Sequence, residues 1–253
     1  FAGTMGFVQR DGLQRLRNVM KYSRQAANIC TGLVSDGWAG GAGGPMGPDP
    51  REIAESDLII MWGGNPVSTQ VNLMTHVTKA RKDRGARFVV VDAYRSPTAE
   101  VADELVLVKP GTDGAVASAI IHVLFRDGLA DRDYMEKYTD NWRDLEEHAK
   151  TKTPAWAEEI SGVPASQIEA LAKRIGATDR TYIRVGYGFS RSRNGPSQVH
   201  AVTSIAAVGG KFQYRGGGAF WSNRIVYNWN KTVIEGADAM DPSIRILDMS
   251  RIG

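Results

Sequence analysis

The chain has 253 residues, of which 42% are hydrophobic and 23% are charged, proportions that are ordinary for a globular domain. Its 31 basic and 28 acidic residues give a net charge of +3 without a block of like charges. This pattern argues against a nucleic-acid-binding arm and fits an anionic small molecule better. No apolar run reaches the ~18 residues that a transmembrane helix needs, so we expect no membrane insertion.

The first half of the chain shows an alternation of helix and strand patterns. Apolar spacing predicts a helix over residues 11–22, whereas the Gly/Pro-rich residues 37–50 predict a loop. Asp49 and Pro50 are typical of an N-cap and of the first position of a short helix. Residues 58–62 and 88–91 are continuous apolar runs typical of buried parallel strands. Residues 69–83 predict a helix between them, which completes one βαβ unit.

The second half continues the same rhythm. Strands are predicted at residues 105–108 and 181–185, and helices are predicted around 116–124, 134–138, 154–160, 167–175 and 197–208. Strands that alternate with helices are the signature of a parallel sheet. The sequence therefore predicts an α/β fold with a Rossmann-like, mostly parallel sheet and helices on both faces.

Glycine and polar residues follow all four predicted strands. Ligands of such sheets lie beyond the carboxyl ends of the strands, so we expect these residues to form one site. In chain order they are Gly63, Gly64 and Asn65, then Asp92 and Arg95, then Gly111, Thr112 and Asp113, and finally Tyr187, Gly188 and Arg191.

Each of these positions has a structural interpretation beside the functional one. Gly63 and Gly64 could admit a phosphate to backbone N–H groups or could form a plain tight turn; the Gly-x-Gly-x-x-Gly fingerprint is absent. Asp92 could accept hydrogen bonds from ribose hydroxyls or a guanine edge, or could cap a turn. Arg95 could bind a phosphate or form a surface ion pair. Asp113 could simply cap its helix.

The single cysteine, Cys30, excludes an intrachain disulfide framework. A buried, inert thiol is one interpretation. The other is a thiolate that supplies the one protein ligand of a metal whose remaining ligands come from a cofactor. The four histidines have no metal-ligand spacing, and neither a Gly-x-Ser-x-Gly nor a Walker A motif is present.

Five segments in the same order resemble the molybdopterin oxidoreductases of the dimethyl sulfoxide reductase family. They are residues 57–66 (DLIIMWGGNP), 89–103 (VVVDAYRSPTAEVAD), 108–115 (VKPGTDGA), 186–191 (GYGFSR) and 209–218 (GGKFQYRGGG). The resemblance implies a bis-molybdopterin guanine dinucleotide cofactor with molybdenum or tungsten.

The resemblance also implies a role for each site residue. Trp62, Gly63, Gly64 and Asn65 would contact the diphosphate of one dinucleotide, and Asp92, Arg95, Gly111, Thr112 and Asp113 would hold its guanosine end. Tyr187, Gly188 and Arg191 would reach the pterin region. Cys30 would be the metal ligand and the catalytic residue. Thr31 follows Cys30 where formate dehydrogenases of the family have histidine, which disfavours formate as the substrate.

By the same resemblance, residues 1–24 are the tail of a preceding domain, 25–225 a dinucleotide-binding domain, and 226–253 a segment leading to a following domain. The expected activity is two-electron oxygen- or sulfur-atom transfer on a small-molecule substrate. Expected partners are the other domains of the same polypeptide and an electron-transfer subunit, with an iron–sulfur cluster in the preceding part. Two alternatives stay open: a non-catalytic scaffold subunit of a respiratory complex, and an ordinary nucleotide-dependent enzyme. The sequence does not assign a cellular compartment.

Overall fold

The computed structural model describes residues 6–26, 29–44, 47–222 and 229–251. The strands in these residues are β1 (Arg24–Ala26), β2 (Leu58–Trp62), β3 (Arg87–Asp92), β4 (Glu104–Leu107), β5 (Thr181–Val185), β6 (Gly218–Phe220) and β7 (Ile246–Asp248). The α-helices are α1 (Phe7–Val19), α2 (Thr31–Ala42), α3 (Pro66–Thr69), α4 (Val71–Arg84), α5 (Pro97–Glu100), α6 (Asp113–Arg126), α7 (Arg132–Tyr138), α8 (Trp142–Ala149), α9 (Pro154–Ser161), α10 (Ala165–Ala177), α11 (Gly195–Val208) and α12 (Thr232–Glu235). No described helix combines the length and the apolar character needed to cross a bilayer.

The chain forms two compact units. Unit 1 comprises Phe1–Gly32 together with Arg224–Gly253, and unit 2 comprises Leu33–Asn223. In unit 1, β1 pairs in parallel with β7, and Lys231 Nζ lies 2.8 Å from Asp11 Oδ2. The division of the sequence at residues 24 and 225 stays a prediction.

Unit 2 is built on a five-stranded sheet in the order β4-β3-β2-β5-β6, in which every pairing is parallel. This architecture confirms the predicted α/β class. The bounds of β2 and β5 are those predicted from the sequence, and all residues of both strands are buried. Along the chain, β3 and β4 are added on one side of β2, whereas β5 and β6 are added on the other. The boundary between β2 and β5 is therefore the topological switch point, where ligands of such sheets bind.

Side chains alternate between the two faces of the sheet. Leu58, Ile60 and Trp62 of β2 belong to one large buried cluster that includes the apolar sides of α6, α10 and α11. Ile59 and Met61 point to the opposite face and are equally buried. Both faces are thus covered, as a parallel sheet requires.

The expected loop over residues 37–50 is wrong for its first part, because α2 extends through Ala42. Glycine weakens a helix, but here it permits close packing of α2 against α11. A Cβ atom on Gly37 would lie 2.3 Å from the carbonyl oxygen of Pro196, and one on Gly41 would lie 3.0 Å from His200 Cδ2. The short helix predicted after Asp49 is present as a 3₁₀ helix, Pro50–Glu55, and the Asp49 side chain accepts a hydrogen bond from Arg51 N.

Candidate functional site

The loops that follow β2 and β5 are hydrogen-bonded to each other at the switch point. Gly186 N donates to Trp62 O (2.7 Å), and Gly188 N donates to Gly63 O (3.0 Å). A Cβ atom on Gly186 would lie 2.0 Å from Gly63 O, so a larger residue cannot occupy that position without moving one loop. Gly63 itself has a φ of 66°, in the left-handed region that favours glycine. The glycines of both loops are therefore needed for their mutual approach.

Asn65 connects the loop after β2 to the segment after β3. Its Oδ1 accepts a hydrogen bond from Thr98 Oγ1 (2.6 Å), and its Nδ2 lies 3.4 Å from the Tyr94 hydroxyl. The backbone N–H groups of Gly64 and Asn65 donate to no group in the described part of the chain. Two amide donors in one glycine-containing loop remain available to an anionic ligand.

Trp62 connects β2 to the start of α6. Its side chain is fully buried, and its indole Nε1 donates to Asp113 Oδ1 across 2.9 Å. Burial raises the pKa of the Asp113 carboxyl group, and the hydrogen bond from Trp62 opposes this effect. The hydrogen bond from Trp62 occupies one carboxylate oxygen of Asp113, and the second oxygen can accept a further hydrogen bond.

Asp92 is the last residue of β3 and is 9% exposed. Its Oδ1 accepts a hydrogen bond from Ala93 N (2.7 Å). Burial raises the pKa of Asp92, the hydrogen bond from Ala93 lowers it, and the negative charge of Asp113 raises it further. Both carboxylates stand at the carboxyl edge of the sheet, where each can accept hydrogen bonds.

The turn after β4 contacts the segment that leads into α11. Gly111 has a φ of 81°, and its carbonyl oxygen accepts a hydrogen bond from Asn194 Nδ2 (3.3 Å). The Thr112 hydroxyl donates to Lys109 O (2.7 Å) and so stabilises its own turn. With these contacts, the loops after β2, β3, β4 and β5 are linked at one edge of the sheet. That their residues form one ligand site stays a prediction.

Three further expected site residues follow β3 and β5. The guanidinium groups of Arg95 and Arg191 are exposed, and neither forms an ion pair or hydrogen bond with the residues that the structure describes. Both cations remain available to an anionic ligand. Tyr187 is half-buried and lies within hydrogen-bonding distance of Ser222, with 3.0 Å between its hydroxyl and Oγ.

Sequence reasoning missed the fifth strand end, that of β6, where Trp221 and Ser222 follow. The apolar residues Ala219, Phe220 and Trp221 after three glycines are the signal that could have revealed it. Arg184, which is 2% exposed, was not predicted from the sequence as a residue of this edge either. Its guanidinium donates to Val185 O (2.6 Å), to Trp221 O, and to the Oε1 of Gln70 (3.0 Å). Burial lowers the pKa of Arg184.

Cys30 belongs to unit 1, whereas the other expected site residues belong to unit 2. It has a free, half-buried thiol and a φ of 62°, and it directly precedes α2. The described residues contain no group of three or more histidine, cysteine, aspartate or glutamate side chains that could hold a metal ion. The role of Cys30 as a single protein ligand stays a prediction.

A family model described as molybdopterin oxidoreductase matches residues 7–251. The chain belongs to the molybdopterin oxidoreductase family. Family membership implies a molybdopterin cofactor with molybdenum or tungsten.

Among the family's curated members, the probable oxidoreductase YoaE of Bacillus subtilis is 34% identical over all of this chain and 37% of its own length. The dimethyl sulfoxide reductase DmsA of Escherichia coli is 30% identical over 76% of this chain and 26% of its own length. Acetylene hydratase from Pelobacter acetylenicus has the same fold: the TM-score is 0.68 at 20% identity, over 82% of this chain and 28% of that one. The chain therefore spans between 26% and 37% of the length of these relatives.

The chemistry of the strand-end residues fits a dinucleotide. The free N–H groups of Gly64 and Asn65 and an unpaired guanidinium can donate to diphosphate oxygens. The carboxylates of Asp92 and Asp113 can accept from the N–H groups of a guanine ring. One edge of the sheet thus carries both the hydrogen-bond donors and the acceptors that a guanine dinucleotide requires.

Proposed function

We propose that this chain is the central cofactor-binding region of a molybdenum or tungsten oxidoreductase with a bis-molybdopterin guanine dinucleotide centre. One of the two dinucleotides would bind along the edge where β2, β3, β4 and β5 end. The observation that supports this assignment is the link between the strand-end loops: Gly186 N to Trp62 O, Asn65 to Thr98, and Trp62 Nε1 to Asp113. These contacts fix the loops and leave their ligand-binding groups free.

In this proposal each group of residues has one task. The N–H groups of Gly64 and Asn65 bind the diphosphate, to which the exposed Arg95 contributes a positive charge. Asp92 and Asp113 accept hydrogen bonds from the guanosine end, next to the turn of Gly111 and Thr112. Tyr187, Gly188 and Arg191 lie toward the pterin.

When bound, the metal centre supplies two-electron redox chemistry, and we infer oxygen- or sulfur-atom transfer on a small-molecule substrate as the reaction. The Cys30 thiolate would bind the metal. The remaining residues bind and orient the cofactor. The other domains of the polypeptide, an electron-transfer subunit and an iron–sulfur cluster in the preceding part would complete the enzyme.

Purification of the full-length enzyme with its cofactor tests this function. We expect about one molybdenum or tungsten atom and two guanine nucleotides per polypeptide, measured by elemental analysis and by chromatography after acid hydrolysis. Asp92→Asn should lower the guanine nucleotide content, whereas Asp83→Asn, which removes an exposed carboxylate paired with Lys79, should not. An enzyme without metal or guanine nucleotide would contradict the proposal and favour the scaffold alternative.

The metal ligand requires its own measurement. Cys30→Ser should reduce by one the number of sulfur atoms bound to the metal, as measured by X-ray absorption spectroscopy. The metal content serves as the control, because a loss of sulfur coordination is meaningful only in a variant that still contains metal. An unchanged sulfur count in the metal-containing variant would exclude Cys30 as a ligand.

A further inference from the structure

The indole of Trp221 has a buried hydrogen-bond donor without an acceptor. Trp221 is the first residue after β6 and is 3% exposed. Its Nε1 has no hydrogen-bond partner within the described ranges. Buried donors are nearly always paired in folded proteins, because an unpaired one loses its hydrogen bond to water without replacement. The free Nε1 of Trp221 therefore requires an explanation.

Trp221 lies at the edge of the sheet where the dinucleotide is proposed to bind. Arg184 of β5 is in register with Phe220, the last residue of β6, so Trp221 follows the strand end on the side of the loop after β5. The rings of Trp221 and Tyr187 pack edge to face with their centroids 5.6 Å apart. The indole is thus beside a residue that the proposed function assigns to the pterin region.

The surroundings of Trp221 hold it in place. Its carbonyl oxygen accepts a hydrogen bond from the buried guanidinium of Arg184. The centroid of the Trp38 ring lies 6.4 Å from that of Trp221, and the three rings of Trp38, Trp221 and Tyr187 form an aromatic cluster. A side chain packed in this way cannot turn its N–H toward solvent without breaking the cluster.

We propose that Trp221 Nε1 donates a hydrogen bond to an acceptor atom of the bound pterin dinucleotide beside Tyr187. This inference rests on the proposed function and adds a residue that neither motif spacing nor the resemblance indicated. Carbonyl oxygens, ring nitrogens and phosphate oxygens of such a ligand all accept hydrogen bonds. Binding pairs the donor that the cofactor-free protein leaves unpaired.

The test compares the full-length enzyme produced with and without a supply of the cofactor. Trp221→Phe keeps an aromatic ring in the cluster but removes the N–H group. We expect this variant to release guanine nucleotide about tenfold faster than the wild type, and to gain less thermal stability from the cofactor. The gain is measured as Tm of the loaded enzyme minus Tm of the cofactor-free enzyme, so the packing defect that both forms share cancels.

Trp38→Phe is the matched control, because Trp38 is buried in the same aromatic cluster. It should lower both Tm values by similar amounts and leave the release rate unchanged. If Trp221→Phe does not fold, β-(3-benzothienyl)alanine at position 221 replaces it, since this analogue keeps the two-ring shape and lacks only the N–H group.

The outcomes separate the two proposals. A wild-type enzyme without guanine nucleotide overturns the proposed function and this inference with it. If the wild-type enzyme contains guanine nucleotide, but the Trp221 variant releases it at the same rate and gains the same Tm from the cofactor, this inference alone is overturned. Faster release in Trp221→Phe but not in Trp38→Phe supports it.

Discussion

The indole Nε1 of Trp62 donates to Asp113 Oδ1 across 2.9 Å and joins the last residue of β2 to the first residue of α6. Trp62→Phe should lower the free energy of unfolding by about 1–3 kcal/mol, because the half-buried carboxylate of Asp113 loses a donor that is itself fully buried. A double-mutant cycle with Asp113→Ala, measured by urea denaturation, should give a coupling energy of about 1–2 kcal/mol.

The contact between Trp142 Nε1 and Glu136 Oε2 has the same chemistry and the same 2.9 Å length, but Glu136 is exposed. Its coupling energy should be much smaller than that of the Trp62–Asp113 pair, since water competes for both groups. Equal coupling in the two pairs would show that burial does not strengthen the Trp62–Asp113 contact.

The stability of the cofactor-free protein should depend on the ionisation of Asp113. Burial raises the pKa of this carboxyl group above that of an unfolded chain, which is about 3.9. Ionisation therefore destabilises the fold as pH rises through the unfolded pKa and then the folded pKa. Asp113→Asn should be more stable than the wild type at pH 7, and this advantage should disappear as the pH falls toward 4. Urea denaturation across this range measures it, and an advantage independent of pH would contradict it.

Gly186→Ala should separate the loops after β2 and β5, because its Cβ would lie 2.0 Å from Gly63 O. We expect a loss of about 3 kcal/mol or more in the free energy of unfolding, since the atoms that the Cβ would meet all belong to the backbone. Gly44→Ala is the control, because no atom lies within 4 Å of a Cβ at that position. Comparable stabilities of the two variants in denaturant titrations would refute the close approach of the loops.

Substitution by alanine at two glycines of α2 should change the stability of the protein in opposite directions. A Cβ on Gly37 would meet the backbone of Pro196 at 2.3 Å, whereas the nearest atom to a Cβ on Gly40 is His200 Nδ1 at 3.9 Å. Gly37→Ala should therefore destabilise by about 1–3 kcal/mol. Gly40→Ala should stabilise by up to about 1 kcal/mol, as alanine favours a helix. Thermal unfolding of both variants distinguishes packing from helix propensity.

The sheet of unit 2 could be predicted from the sequence because its central strands have strong local signals. β2 is a continuous apolar run, β5 is a short segment rich in apolar and β-branched residues, and glycine follows both strands. The helix α2 could not be predicted in this way, since its glycines favour a loop locally. The close packing of Gly37 against Pro196 is a contact distant in sequence, and the local pattern does not reveal it.

Short or isolated features of the site also escaped prediction. β6 has three residues, too few for a periodic pattern, and so Trp221 and Ser222 were not placed at the site edge. The hydrogen bond from Trp62 to Asp113 was equally invisible, because the sequence shows neither residue's partner. The residue types indicated which kinds of ligand group the loops could bind, whereas the contacts between the loops could be seen only in the three-dimensional structure.

The parallel pairing of β1 with β7 has a consequence for how the protein is made. The strand Arg24–Ala26 finds its partner only at Ile246–Asp248, and all of unit 2 lies between them in the chain. During synthesis, unit 2 can leave the ribosome and fold while unit 1 still lacks one of its strands. The order of synthesis thus lets the inserted unit fold first. A ribosome that stalls before residue 246 would leave β1 without its partner strand and with an open edge.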